Sequence, residues 1–179
     1  MDNMKRNIVL VITVIFIGLG IIGGVFAWVI LGLNVTNGNY VIETENYVID
    51  YVKGTDVSNL PSLFNGTPGE ANYLMVRAKK RTDNFTANLT IYLNTLPETD
   101  NELIEEKIIN YAVCVSSCDS FSQTYTLTST DKTVVIENSM LTTEYTDYYV
   151  YFWLDASTEM DNLVNKNYYG FISAEAVLR

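Results

Sequence analysis

The chain has 179 residues, 11 Lys plus Arg against 21 Asp plus Glu, a net charge of −10 and no histidine. That length holds one ordinary domain and a short extra segment, and the acidic balance argues against nucleic acid as the primary partner, because neutralising phosphates needs a basic surface. The absence of histidine removes Ser-His-Asp and Cys-His triads and every His-ligated metal centre, and two cysteines cannot build a four-cysteine zinc or iron–sulfur site. No catalytic residue, metal site or cofactor is therefore expected.

Residues 1–7 carry three charged side chains, Asp2, Lys5 and Arg6. The next 26 residues, Ile8–Leu33, carry no charge, and at helical rise they span about 39 Å, enough to cross a hydrocarbon core of ~30 Å. No basic residue follows until Lys53. This asymmetry predicts a single-pass anchor in the lipid bilayer, with a cytoplasmic N-terminus and an extracellular remainder. The small residues of Val25-Phe26-Ala27 also suit cleavage of a secretory signal after Ala27, which would release the rest. The apolar run continues through Trp28-Val29-Ile30-Leu31, and a cleaved protein would carry it as an exposed apolar end, so the anchor is the reading adopted. Both readings export the domain. Gly20 and Gly24 form a GxxxG spacing, but Gly18 and Gly23 stand so close that it arises easily by chance.

Asn34–Asn39 (NVTNGN) reads as a linker, and residues 40–179 as one extracellular domain. Its richness in Tyr, Thr, Val, Ile and Asn is that of strands joined by polar turns. Ala87, Leu89, Ile91 and Leu93 alternate with polar residues, the pattern of a half-buried strand. The same period places Tyr47, Ile49 and Tyr51 on one face, and likewise Leu74, Val76 and Ala78. Ile109, Tyr111, Val113 and Val115 form a further set, as do Tyr148, Val150, Phe152 and Leu154, and finally Tyr168, Gly170, Ile172, Ala174 and Ala176. Val134–Ile136 adds a short strand. Two segments read as short helices: Asn101–Lys107, with Asn101 as N-cap, and Ser157–Asn165. Seven or eight strands with two inserted helices predict an all-β fold, an antiparallel β-sandwich.

The order of these blocks resembles the TasA/camelysin family of small exported bacterial proteins. The resemblance is carried by NYLMVRAKKRTDNFTANLTIYLN, by ELIEEKIINYAVCV, and by YYVYFWLDASTEMDNLVNKNYYGFISAEAV, from about Asn39 to Arg179. It implies a jelly-roll sandwich and a structural role in extracellular filaments or biofilm-matrix fibres, in some members by lending an N-terminal strand to a neighbour. Self-association or related surface subunits are the implied partners. The assembly strand would be the first strand region, Tyr40 to Val52, with Tyr40, Ile42, Tyr47, Ile49 and Tyr51 as its apolar residues, pairing with its own sheet or with another subunit's open edge. The uncleaved apolar segment departs from a freely released fibre subunit. The peptidase activity attached to camelysin-type proteins is not carried over, because no metal-binding motif supports it.

Three other features suggest sites. Cys114 and Cys118, in CVSSC at a strand end, suit a local disulfide outside the cell. The period turns Cys114 away from the core that Val113 and Val115 face. Arg77, Lys79, Lys80 and Arg81 hold four bases within five residues, a contact for an anionic polymer or an acidic subunit if they converge, and a solvated strand end if they do not. Tyr148, Tyr149, Tyr151, Phe152 and Trp153 put rings on both faces of one strand, so that strand is either central and covered twice or offers a platform to a glycan or a neighbouring chain. The acids around Glu102 and around Asp155 lack calcium-loop spacing and read as solvated faces, and the sequons at Asn34, Asn65, Asn84 and Asn88 are near chance frequency. The leading expectation is a membrane-anchored structural subunit of the cell surface. The alternative is an adhesin-like binding module for glycan or anionic polymer, and a carboxylate-based hydrolase ranks last.

Overall fold

The computed structural model of the chain describes residues 33–36, 39–63, 66–156 and 166–179. The apolar stretch Ile8–Leu33, apart from Leu33 itself, and the expected helix Ser157–Asn165 lie outside the described residues. Among the described residues no helix is long and apolar enough to cross a membrane.

The protein is all-β, with two antiparallel sheets. The larger contains β1 (Leu33–Thr36), β2 (Asn39–Glu43), β3 (Tyr47–Tyr51), β6 (Asn72–Lys80), β11 (Thr146–Asp155), β8 (Ile109–Val115) and β9 (Thr124–Thr126) in that spatial order. The two-residue β5 (Ser62–Leu63) joins β11 in parallel at Leu154–Asp155. The smaller sheet runs β10 (Lys132–Met140), β7 (Ala87–Thr95), β12 (Gly170–Leu178) and β4 (Asp56–Val57). From β3 onward the chain passes repeatedly between the sheets, so each strand's inward residues meet residues distant in sequence.

That alternation builds the core. Ala87, Leu89, Ile91 and Leu93 of β7 are all 0% exposed, as their period predicts. They share one cluster with Ile49 and Tyr51 of β3, Val76 and Ala78 of β6, Tyr148, Val150 and Phe152 of β11, and Ile172 and Ala174 of β12. Each fully buried aliphatic or phenyl side chain contributes about 1.5–3 kcal/mol, so the inner faces outweigh any local propensity. Two hydroxyls tie the sheets together through this core: Tyr51 Oη accepts the Ala174 N–H at 2.8 Å, and Tyr148 Oη lies 3.1 Å from Ser139 Oγ of β10.

Several boundaries differ from the sequence expectation. Tyr40 to Val52 is not one strand but the hairpin β2–β3, turned by Thr44, whose Oγ1 accepts the N–H groups of Asn46 and Tyr47. The expected linker Asn34–Asn39 contains strand residues at both ends, since β1 runs to Thr36 and β2 begins at Asn39. β-Branched Val35 and Thr36 suit that conformation. The first expected helix is only α1 (Glu102–Glu105), which buries Leu103 and Ile104, and Asn101 makes no side-chain cap. Its C-terminus closes as a Schellman motif: Lys107 takes φ 59°, and the Lys107 and Ile108 N–H groups bond the carbonyls of Ile104 and Leu103. β4, β5 and β9, two or three residues each, were too short for any periodicity to mark.

Candidate functional site

The basic cluster does not converge. Along β6, Arg77 and Lys79 share the outer face of the larger sheet, while Lys80 is directed to the other side. Arg77 forms a two-pronged ion pair with Asp147, its cross-strand partner on β11, at 2.6 and 3.0 Å. Lys80 pairs with Asp83 at 3.1 Å, Arg81 with Glu43 at 3.0 Å, and the Lys79 ammonium lies 4.2 Å from the Tyr145 ring centroid. Acids answer three of the four bases, which leaves little net positive potential for a polymer.

Arg77 also stands opposite Asp50 of β3, so an Asp50–Arg77–Asp147 row crosses three strands. The hydrogen bond to Asp147 raises the Arg77 pKa. Burial raises Asp50 above the ordinary carboxylate value, with Arg77 opposing that shift, and buried Asp50 Oδ1 has no hydrogen-bond partner among the described residues. A carboxyl whose folded-state pKa is raised contributes stability below pH ~4, and that contribution is lost as pH rises through the folded value. Asp50→Asn is therefore expected to raise the melting temperature at pH 7 and to change it little at pH 3. A lowered melting temperature at pH 7 would mean that attraction to Arg77 dominates.

Cys114 and Cys118 are joined by a disulfide, with Cα atoms 5.4 Å apart. Cys114 does turn away from the main core, yet it is 9% exposed while Val115 is 49% exposed, the reverse of what a single core would give. The outer face of the larger sheet carries a second cluster of Ala71, Ala112, Cys114, Tyr151 and Trp153. The chain following the disulfide lies on it: the Phe121 ring stacks on Trp153 at 5.4 Å and leans on Tyr151 at 4.9 Å. Gly66 approaches the indole so closely that a Cβ there would come within 2.7 Å of Trp153 Cζ2. β11 is thus central and covered on both faces, with Trp153 only 3% exposed. Tyr73 and Tyr149 continue this aromatic surface half-exposed, 5.9 Å apart, with Lys53 Nζ 3.5 Å from the Tyr73 ring.

The five apolar residues of the expected assembly strand are split by the hairpin. The register pairs Tyr40 with Tyr51 and Ile42 with Ile49, so all lie on the inward face. Ile49 and Tyr51 are core residues, Tyr47 and Ile42 pack against the core, and Tyr40 is 39% exposed. β3 is hydrogen-bonded on one side to β2 and on the other to β6. Lending β3 to a neighbour would remove Ile49 and Tyr51 from their own core, whereas β2 pairs through only Tyr40–Glu43.

Opposite this hairpin, among the described residues, the outer edge of β12 is only partly paired. Arg179 and Thr86 exchange both backbone hydrogen bonds, which fixes the phase of the β12–β7 ladder. Phe171, Ser173, Glu175 and Val177 bond to β7, and the N–H and C=O groups of Ile172, Ala174, Ala176 and Leu178 point the other way. β4 covers that side only at Gly170–Phe171. Beyond it the Ile172 N–H reaches Thr55 O at 2.9 Å and the Ala174 N–H reaches Tyr51 Oη. Among the described residues, nothing pairs with the edge of Ala176 or Leu178.

Burial raises the pKa of Tyr51, Tyr111, Tyr151 and Tyr168, with desolvation the largest cause in each. Their folded states retain protons that the unfolded chain releases above pH ~10, so stability is full below that pH and falls as pH rises through the raised values. An absorbance titration at 295 nm should show these four phenols ionising above the ordinary tyrosine range. Smooth ionisation of all 13 tyrosines near pH 10 would contradict this burial.

A cavity of ≈ 290 Å³ near β4 is lined by residues that include Lys53, Asp56, Ser58, Asn72, Tyr73 and Phe152. Among the described residues, no three His, Cys, Asp or Glu side chains cluster to hold a metal ion. Compared with protein-family models, curated proteins and solved structures, the chain matches none.

Proposed function

We propose that this protein is a membrane-anchored, extracellular structural subunit that assembles by strand addition, a jelly-roll sandwich of the TasA/camelysin type. One observation supports the reading: among the described residues, no strand pairs with β12 at Ala176 and Leu178 beneath the β2–β3 hairpin. Tyr40 stands beside Tyr51, one strand spacing (~4.8 Å) further out, and Tyr51 already overlies the edge of β12. An extended segment entering there would pair with Ala176 and Leu178, cover the half-exposed Tyr40, and extend a four-stranded sheet to five. The donor is the peripheral chain around β2 of a second copy, where Tyr40 and Ile42 share one face of the strand and β3 stays in its own core. The anchor Ile8–Leu33 would hold such assemblies at the membrane surface, and a disulfide at Cys114–Cys118 suits the oxidising side of that membrane.

The test is sedimentation and negative-stain electron microscopy of the full-length chain in detergent micelles at micromolar concentration. Concentration-dependent oligomers or filaments are expected, and a monomer throughout would contradict the reading. The second reading, a glycan-binding module, draws on half-exposed Tyr73, which lines the cavity, and Tyr149 beside it. It predicts instead a stable monomer whose tyrosine fluorescence changes saturably with added oligosaccharide.

A further inference from the structure

Strand addition at β12 meets an obstacle that the fold itself supplies. The Ala174 N–H points to the open edge and would be an early rung of any added ladder, yet Tyr51 Oη already holds it at 2.8 Å in a buried hydrogen bond. Tyr51 belongs to the other sheet, is 5% exposed, and shares the main core cluster with Ala174. The tyrosine therefore spends its one polar atom on the neighbouring sheet's unpaired backbone.

Edge strands with free N–H and C=O groups invite pairing, and proteins blunt them with short strands, charges, bulges or covering segments. The other long edge here is blunted conventionally: β10 slips register twice against β7, between Val134 and Ile136 and between Ile136 and Ser139, and Asn138 takes φ 51°. β12 keeps an unbroken nine-residue register and has no such bulge. Its protection comes from β4 at one end and from the Tyr51 hydroxyl in the middle.

We propose that the Tyr51 hydroxyl is a guard on the β12 edge: it occupies Ala174 in the free subunit and is displaced when an extended segment of a second copy adds to the sheet. This rests on the strand-addition reading and names its regulation. Addition must break one satisfied hydrogen bond before the rung at Ala174 forms, so the edge accepts a strand only when pairing at Ala176 and Leu178 and burial of Tyr40 outweigh that loss. A subunit guarded in this way stays single until a well-matched strand arrives.

Tyr51→Phe keeps the ring in the core and removes only the acceptor. In that variant an added strand satisfies an orphan amide rather than replacing a partner. Affinity should then rise about 2- to 10-fold, the equivalent of one net intramolecular hydrogen bond. The probe is a synthetic peptide of residues 33–46 of this chain, titrated by fluorescence anisotropy into the full-length protein in micelles, with amide exchange read at Ala174. Tighter peptide binding together with lost protection at Ala174 supports the guard. Equal binding by both proteins overturns the guard and leaves strand addition standing. No binding to either protein, with Ala174 protection still lost in the variant, overturns strand addition at this edge and the guard with it. A measurement on the unmutated chain needs no refolding assumption: peptide binding should shift the Tyr51 Cζ carbon resonance as its hydroxyl leaves Ala174, and an unchanged resonance at saturation overturns the proposal.

Discussion

Trp153→Ala is expected to lower unfolding stability by about 3–5 kcal/mol, as large as the loss for a ring in the main core. The residue sits on the outer face of its sheet, where a two-layer sandwich leaves side chains in water, and there a truncation costs within about 0.5 kcal/mol. Here the indole is 3% exposed, stacked by Phe121, approached by Gly66, and grouped with Tyr151 and Cys114. Urea unfolding followed by circular dichroism measures the difference. Tyr145→Ala, which removes a ring that is 48% exposed, is the surface comparison and should change little. A loss below about 1 kcal/mol at Trp153 would mean that the loops over this face lie on the sheet without forming a core.

The second large effect is on assembly. Ala176→Pro should leave the subunit folded and abolish its association. Ala176 directs its N–H to the open edge, so proline there removes no hydrogen bond to β7, and proline is tolerated on strand edges. Glu175→Pro, one residue earlier, removes an N–H that bonds to β7 at Thr90 and should cost about 1–3 kcal/mol. The pair separates blocking from unfolding. Sedimentation gives the association state and circular dichroism the fold, and oligomers formed by a well-folded Ala176→Pro protein would mean that β12 is not the acceptor. Leu178→Pro repeats the test at the other open rung.

The inward faces were legible because burial imposes a period that survives any topology. ANLTIYLN predicts four buried positions, and all four are buried. The ring-rich strand left two readings open, and the structure chooses the covered one through Phe121, which precedes Tyr151 by 30 residues and Trp153 by 32. What periodicity cannot carry is partnership. The bases look clustered in sequence, yet Arg77 meets Asp147 seventy residues downstream and Arg81 meets Glu43 thirty-eight upstream. The alternation of Ile172, Ala174 and Ala176 reads the same whether a strand lies beside them or not, so the open edge of β12 was invisible. Tyr51 likewise reads as one more apolar residue, because nothing local marks a hydroxyl that ends on Ala174 across 123 residues.

The central claim is that β12 accepts a strand from another copy, and amide hydrogen exchange at single-residue resolution tests it most directly. In the dilute subunit, Ala176 and Leu178 should exchange rapidly, while Glu175 and Val177, bonded to β7, are protected. In the assembled state the account predicts protection at Ala176 and Leu178 equal to that of their neighbours. Assemblies in which these two amides still exchange as fast as in the free subunit would contradict it and place the contact elsewhere on the molecule.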